Sequence, residues 1–251
     1  QKMKILFQMS YNLNKINLMA QLSQLAYKGK NSKPHFQKLG YTGHKYFDVD
    51  GAQCHAVWND EEYCLCFRGT EPKEISDIFA DLKAWPRGSM TNGLVHAGFK
   101  GEVDKLWDQI NNHQQKHEKK RFYITGHSLG AAMATIATSR FEEYCNVDQL
   151  TTFGSPRVGT RSFVKNIRTL HYRVVNNNDI VTRVPLFLMG YKHHGKLIYI
   201  NYYGEIRNMT LWQRFKDKMR GRWAAIKKLH PFDGTIDHGM NFYIDYTKEN
   251  K

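Results

Sequence analysis

The pattern of apolar and polar positions divides the chain into short helices and strands. Apolar residues at helical spacing predict one helix that ends before Gly29 and another around residues 103–110. Alternating runs between them predict strands at 46–49, 52–58 and 62–68, joined by turns at Asp50-Gly51 and Asn59-Asp60. From residue 121 onward, predicted strands at 121–125, 150–153, 170–175 and 197–201 are separated by a helix from Leu129 to about Arg140 and by turns. Such alternation indicates a mainly parallel sheet with helices on both faces, and residues 1–251 are predicted to form a single α/β domain.

Composition narrows the function classes more than the fold. The chain has 251 residues, of which 41% are hydrophobic and 24% charged, and this excludes a disordered or collagen-like protein. The 37 basic against 23 acidic residues give a net charge of +14, which favours an anionic partner such as a nucleic acid or a membrane surface. No recognisable nucleic-acid-binding motif accompanies this charge, so we expect no nucleic-acid partner.

Neither a membrane span nor a signal peptide is predicted. No apolar run approaches the roughly 18 residues that cross a bilayer. The apolar stretch within Gln1 to Asn12 is too short for the hydrophobic part of a signal peptide and has no cleavage site, although Gln1 leaves room for a missing leader. We expect a soluble chain, and its localisation stays open, with secretion and association with a membrane surface as the two candidates.

The cysteines and one pair of histidines carry weaker predictions. The four cysteines match no zinc pattern and are expected to be reduced and mostly buried, with Cys64 and Cys66 on one face of a strand. A cross-strand Cys54–Cys66 disulfide is the alternative. His113 and His117 lie four residues apart on a predicted helix and are expected to form part of its solvated face.

The segment Gly126-His127-Ser128-Leu129-Gly130 fits G-x-S-x-G, a pattern that is weak by itself. Its setting makes it specific, because it follows a predicted strand and opens a predicted helix, as a nucleophile elbow requires. The serine of such an elbow sits at a strained tip, where side chains two residues before and after it would collide with the neighbouring strand and helix. Ser128 is therefore the candidate nucleophile, and a helix cap is the alternative role.

A serine hydroxyl needs a base, and the base needs an acid that orients it. The chain order of this arrangement is serine, acid, histidine, so the acid and the base lie downstream of Ser128. Asp179 follows a predicted strand and is the leading acid, with an Asx-turn as its alternative role and Asp233 as the alternative acid.

His238 precedes the last apolar segment and is best placed to be the base. The other downstream histidines are His193, His194 and His230. His127 is excluded, because its side chain points away from that of Ser128 across the elbow.

Several segments in order resemble the class 3 (fungal-type) lipase family of the α/β-hydrolase superfamily. They are Cys66-Phe67-Arg68-Gly69-Thr70, Val95-His96-Ala97-Gly98-Phe99, 125–130, Thr152-Phe153-Gly154-Ser155-Pro156-Arg157-Val158-Gly159, Asn178-Asp179-Ile180-Val181 with Val184-Pro185, and Asp237-His238. The resemblance covers roughly residues 15–245 and implies the α/β-hydrolase fold, a central, mainly parallel sheet flanked by helices, with a short amphipathic lid.

The resemblance also assigns roles to particular residues. It implies a triad of Ser128, Asp179 and His238, and an oxyanion hole formed by the backbone N–H groups of Thr70 and Leu129. The assignment of Leu129 follows independently from its place at a helix N-terminus, where free N–H groups face developing negative charge. Thr70 rests on the resemblance alone. No cofactor or metal is implied, since every step uses side chains of the protein.

Two amphipathic segments are candidates for contact with lipid. Residues 71–86 take the place of the family's lid, with Ile78, Phe79, Leu82 and Trp85 as the substrate-facing residues, and an ordinary packed helix is the alternative. Residues 210–230 form a basic amphipathic helix with two tryptophans, a pattern typical of binding to anionic membrane surfaces. The alternative is a surface helix whose apolar stripe packs on the domain, and Gly221 weakens the helix prediction.

Together these features predict a serine carboxylester hydrolase, first of all a triacylglycerol lipase acting on lipid esters at an interface. A phospholipase A1 acting on anionic phospholipid is the alternative enzyme, and a non-catalytic lipid-binding protein is the alternative of another class. No obligate protein partner is predicted.

Overall fold

The computed structural model describes residues 11–69, 85–227 and 237–248, which form seven α-helices and nine strands. The helices are α1 Leu13–Leu25, α2 Lys33–Lys38, α3 Ala97–Gln115, α4 Leu129–Phe141, α5 Arg161–Asn166, α6 Leu211–Lys227 and α7 Met240–Thr247. The strands are β1 Gly43–Val49, β2 Ala52–Trp58, β3 Glu62–Phe67, β4 Pro86–Gly88, β5 Leu94–His96, β6 Arg121–His127, β7 Gln149–Phe153, β8 His171–Asn176 and β9 Lys196–Ile200. Short 3₁₀ segments include Val181–Arg183 and Phe187–Met189.

A seven-stranded sheet in the order β1-β2-β3-β6-β7-β8-β9 organises the fold. Within this sheet, β1, β2 and β3 are antiparallel to their neighbours in that group. The pairings β3-β6, β6-β7, β7-β8 and β8-β9 are all parallel. The predicted mainly parallel sheet is therefore confirmed. The turn between β1 and β2 places Asp50 and Gly51 at φ angles of 48° and 82°, as a tight hairpin requires. The carboxyl ends of the parallel strands meet at one edge of the sheet, where functional side chains of α/β folds collect.

The two faces of the sheet carry separate apolar cores. One face is covered by α3 and α4, and the other by α1 and α7. Successive side chains of β3 point to opposite faces of the sheet and so contribute to both cores. Leu65 and Phe67 join the first core, and Cys64 and Cys66 join the second. Among the described residues, no helix is long and apolar enough to span a bilayer.

The alternative Cys54–Cys66 disulfide is wrong, because the strand register is offset by one residue. Cys66 pairs with His55, while Cys54 pairs with Phe67. Since a shift of one residue moves a side chain to the other face of a sheet, Cys54 and Cys66 lie in different cores. All four cysteines are free thiols, and Cys64 and Cys66 share one face as predicted, with their sulfur atoms 3.7 Å apart.

His113 and His117 do not form a solvated face, contrary to the prediction. His117 lies beyond the end of α3, and its ring stacks on Tyr63 with 4.9 Å between centroids. His113 shares a 3.0 Å hydrogen bond with the hydroxyl of Tyr63 and packs on Trp58. Burial, and the nearby charges of His117 and two lysines, lower the pKa of His113 to about 4, so it is a neutral packing residue.

Candidate active site

Ser128 occupies the turn between β6 and α4. Its φ of 58° and ψ of −128° place a non-glycine residue in strained backbone, and its side chain is almost fully buried. A methyl group at Gly126 would collide with the backbone of Gly130, and one at Gly130 would collide with the carbonyl of Phe67 on β3. The predicted steric reason for both glycines is therefore confirmed.

A buried carboxylate and a buried imidazole are joined 59 residues apart in sequence. Nδ1 of His238 lies 2.8 Å from Oδ2 of Asp179, and both side chains are excluded from solvent. The backbone N–H of Val181 donates to Oδ1 of Asp179 at 2.9 Å, which fixes the plane of the carboxylate. Because the ionised carboxylate only accepts, the proton of the neutral imidazole lies on Nδ1, and Nε2 keeps its lone pair.

Tyr243 completes the surroundings of the acid. Its hydroxyl donates to the same Oδ2 of Asp179 at 2.5 Å from α7. Burial, followed by the charge of Asp179, holds the pKa of Tyr243 well above its usual value, so the hydroxyl keeps its proton. Nothing in the sequence pattern distinguished this tyrosine from an apolar residue of the final helix.

His127 holds the other side of His238. The two rings stack with 4.3 Å between centroids, and Nε2 of His127 donates to the backbone carbonyl of His238 at 2.8 Å. Nδ1 of His127 accepts from the hydroxyl of Tyr27 at 2.7 Å. Burial and the neighbouring His238 keep the pKa of His127 far below its usual value, so this ring remains a neutral support for His238.

Nε2 is the ring nitrogen of His238 that does not face Asp179. Nε2 is buried and accepts no hydrogen bond from the residues that the structure describes. His127, stacked on this imidazole, directly precedes Ser128 in the chain. The imidazole therefore lies against the residue that precedes the elbow serine, and the hydroxyl of Ser128, itself a described residue, makes no hydrogen bond to Nε2 in this structure.

Gly154 is the position that lets the acid and the base meet. Its φ is +56°, and a methyl group there would lie 2.7 Å from Oδ2 of Asp179 and 2.8 Å from Nδ1 of His238. Any side chain would therefore push apart the two atoms of the hydrogen bond. The family resemblance included this glycine, but its reason is visible only in the packing.

The candidate oxyanion donors are only partly described. Leu129 is the first residue of α4, where backbone N–H groups lack intrahelical partners. The chain leading to Thr70 passes beside the elbow, since a methyl group at Gly69 would lie 3.1 Å from Cβ of Ser128. Thr70 itself lies outside the described residues.

Within the predicted lid, residues 71–86, the structure describes only Trp85 and Pro86. Ile78, Phe79 and Leu82 lie outside the described residues. Trp85 is described, with 69% of its surface exposed, and its carbonyl accepts from the N–H of Ala97 at 3.0 Å. Directly after it, Pro86 begins strand β4, which pairs with β5 and was not predicted.

The competing downstream histidines that the structure describes are engaged elsewhere. Nε2 of His193 lies 2.9 Å from the carbonyl of Thr182, and burial lowers the pKa of His193 to about 2. His194 pairs with His171, with their Nδ1 atoms 3.0 Å apart. His230 and the alternative acid Asp233 lie outside the described residues.

The amino-acid sequence matches a known protein family and several characterised proteins. The family model for class 3 lipases matches residues 64–189. The toxin TseL of Vibrio cholerae is 41% identical over 98 residues, which are 38% of this chain and 15% of that protein. The secreted mono- and diacylglycerol lipase MDL3 of Malassezia globosa is 28% identical over 213 residues, which are 76% of this chain and 70% of that protein.

Solved structures share the fold at low identity. The triacylglyceride lipase of Rhizomucor miehei superposes with a TM-score of 0.66 at 22% identity, over 76% of this chain and 81% of that one. A second structure, described as a triacylglycerol lipase whose catalytic centre is a serine protease triad, gives a TM-score of 0.67 at 23% identity, over 76% of this chain and 81% of that one.

Proposed function

The chain belongs to the class 3 lipase family of α/β-hydrolases, and on this premise we propose that it hydrolyses carboxylic esters with Ser128 as nucleophile, His238 as general base and Asp179 as the orienting acid. The observation that carries the proposal is the buried hydrogen bond between Asp179 and His238, which leaves Nε2 of the imidazole without a partner among the described residues.

The proposed reaction proceeds in two steps. Oγ of Ser128 attacks the acyl carbonyl while Nε2 of His238 takes its proton, and Asp179 stabilises the imidazolium. The N–H groups of Leu129 and Thr70 stabilise the oxyanion, and the leaving alcohol takes the proton from His238 as the acyl-enzyme forms. Water, deprotonated by His238, then attacks the acyl carbon. His238 returns the proton to Oγ of Ser128 as the bond between Oγ and the acyl carbon breaks and the fatty acid leaves.

Glyceride esters are the proposed substrates, with triacylglycerol first. The relatives described above include a mono- and diacylglycerol lipase and triacylglycerol lipases by name. An apolar surface beside the loop that carries Asp179 supports a lipid substrate, and Leu188 on it is 92% exposed. It consists of Ile180, Leu186, Phe187, Leu188 and Met189. No periodic pattern in the sequence would have revealed this surface.

A panel of substrates tests the proposal. We expect turnover of p-nitrophenyl esters, higher turnover of emulsified triolein than of monomeric short-chain esters, and slower release of fatty acid from phosphatidylglycerol vesicles. A preference for phosphatidylglycerol over triolein would favour phospholipase A1, the alternative supported by the basic residues of α6. Absence of hydrolysis across the panel would contradict the proposal.

We also propose that α6 contacts an anionic membrane surface. The helix turns its polar face inward, burying Asp217 and Gly221. Its aromatic residues point outward, with Trp212 64%, Phe215 54% and Trp223 61% exposed. This arrangement argues against the alternative in which these aromatic side chains pack on the domain. Exposed tryptophans flanked by lysine and arginine are suited to the boundary between headgroups and acyl chains.

Replacement of Trp212 and Trp223 by alanine should weaken binding to phosphatidylglycerol vesicles by at least tenfold in a sedimentation assay. The matched control is Trp107→Ala, which removes a tryptophan that packs on Phe141 within the described fold. Wild-type binding should fall as salt rises, because screening weakens attraction to the anionic surface. Binding that is indifferent to salt, to anionic lipid content and to the α6 tryptophans would refute the proposal.

A further inference from the structure

Six basic side chains are grouped on and around α6, five of them partly buried and one, Arg222, exposed, and we call them the basic cluster. Three lie on α6 at intervals of four residues, which places them along one stripe of the helix. The others come from the loop after β7, from β8 and from the 3₁₀ turn that follows Asp179. The members are Arg157, Arg173, Arg183, Arg214, Lys218 and Arg222.

The pKa values of the side chains in the basic cluster are lowered by one another's charges, which indicates that these charges lie close together. Burial, then the guanidinium groups of Arg214 and Arg157, lower the pKa of Arg173 to about 10. Burial, then the charges of four arginines, lower the pKa of Lys218 to about 8. These four arginines are Arg183, Arg214, Arg222 and Arg173. The cluster is thus a partly buried region of positive potential.

Among the described residues, the acid on α6 makes no ion pair with a member of the cluster. Oδ2 of Asp217 accepts hydrogen bonds of 3.0 Å from neutral donors, the hydroxyl of Tyr199, the amide of Asn177 and the N–H of Tyr202. Its Oδ1 lies 3.7 Å from Arg220, which is half exposed and outside the cluster.

Two acids outside α6 offset part of the charge on Arg183, namely Asp179 and Asp237. The oxygens of Asp179 already accept hydrogen bonds from His238, Tyr243 and Val181.

Several donors of the cluster remain unused. The Nε atoms of Arg173, Arg183 and Arg214 are buried and have no hydrogen-bond partner among the described residues. Guanidinium groups stay protonated at all physiological pH values, so these N–H groups cannot escape the cost of burial by losing a proton. Buried donors without partners are rare in folded proteins and call for an explanation such as a bound ion.

We propose that the basic cluster is a binding site for a phosphate-type oxyanion. A tetrahedral oxyanion presents several acceptor oxygens, which suits the unpartnered donors from β8, the 3₁₀ turn and α6, whereas a carboxylate offers only two oxygens. The phosphate group comes from free phosphate or from a lipid headgroup. The proposal concerns binding and does not depend on hydrolysis at Ser128.

An occupied site would connect α6 to the loop that carries the acid. Nη2 of Arg183 donates to Oδ1 of Asn178 at 2.9 Å, and Nδ2 of Asn178 donates to the carbonyl of Lys218 at 3.1 Å. A side chain at Gly221 would meet Nδ2 of Asn178 at 2.6 Å, so the glycine that interrupts the helical pattern permits this close contact. The anion would therefore stabilise α6 against residues 177–183.

Titration calorimetry at constant ionic strength, with inorganic phosphate against chloride, tests the proposal. We expect wild-type protein to bind one phosphate per chain. Lys218→Gln and Arg214→Gln should each weaken binding at least tenfold. Lys216→Gln, which removes the same charge from the exposed face of α6, should change it less than twofold. Circular dichroism of each preparation shows that the variants are folded, so a failure of hydrolysis would leave the binding result intact.

Two further ligands distinguish the source of the phosphate. Binding of glycerophosphoglycerol, a phosphodiester, with the same dependence on Lys218 supports a lipid headgroup, whereas binding of inorganic phosphate alone supports free phosphate. Binding of neither ligand, or equal loss in Lys216→Gln and Lys218→Gln, would overturn the site.

Discussion

Replacement of Ser128 by alanine is expected to lower kcat/KM for a p-nitrophenyl ester by about 10⁶-fold, the scale on which loss of a triad serine acts. The hydroxyl is the group that forms the acyl-enzyme, and the remaining site can stabilise charge but cannot form that bond. The measurement is steady-state hydrolysis of the purified variant, corrected for contaminating esterase by active-site titration.

A neighbouring serine provides the matched control. Ser155 is equally buried, and its hydroxyl donates to the carbonyl of Pro156 at 3.0 Å. Ser155→Ala should therefore retain activity within about tenfold, since it loses one ordinary hydrogen bond. Comparable activity of Ser128→Ala and wild type would refute the assignment of the nucleophile.

Asp179→Asn is expected to lower kcat by roughly 10⁴-fold with little change in KM, as removal of the orienting charge does in a serine triad. An amide at this position can accept from Nδ1 of His238 or donate to it, and donation would stabilise the tautomer with its proton on Nε2. It would also remove the charge that stabilises the imidazolium, and Oδ2 would no longer be an anionic acceptor for Tyr243.

Asp237→Asn is the control for a general loss of negative charge near the base. Oδ2 of Asp237 accepts from the backbone N–H of Asn178 at 3.0 Å, a bond that an asparagine oxygen can replace. We expect Asp237→Asn to stay within about tenfold of wild type, the loss of an ordinary hydrogen bond. A loss below tenfold in Asp179→Asn would instead move the acid role elsewhere, with Asp233 as the next candidate.

Local sequence signals predicted the framework of the site because they depend on neighbours in the chain. The strand before Ser128 and the helix after it follow from apolar spacing, and the glycines at 126 and 130 follow from the tight turn. The position of Asp179 after a strand follows from the tendency of parallel sheets to collect functional residues at one edge. The pairing of Asp179 with His238 is likewise consistent with the predicted order along the chain.

Features that depend on distant contacts could not be predicted. Tyr27 and His127 are 100 residues apart, and no periodic pattern links them or identifies Tyr243 as a partner of Asp179. The register of β2 and β3 shifts by one residue relative to the pairing that a Cys54–Cys66 bridge needs.

The orientation of α6 shows the limit of helical periodicity. The pattern identified an amphipathic helix, but it could not determine which face meets the domain. The structure buries Asp217 because Tyr199, Asn177 and the backbone of Tyr202 supply donors for its carboxylate. Favourable hydrogen bonds from three separate segments therefore outweigh the usual preference for burying the aromatic stripe.

The most direct test is a crystal structure of the protein after reaction with a p-nitrophenyl phosphonate. We predict a covalent bond from Oγ of Ser128 to phosphorus, a phosphonate oxygen facing the N–H of Leu129, and Nε2 of His238 within roughly 2.6–3.2 Å of Oγ or of another phosphonate oxygen. An adduct on another residue, or an imidazole of His238 beyond hydrogen-bonding reach of the Ser128 adduct, would contradict it.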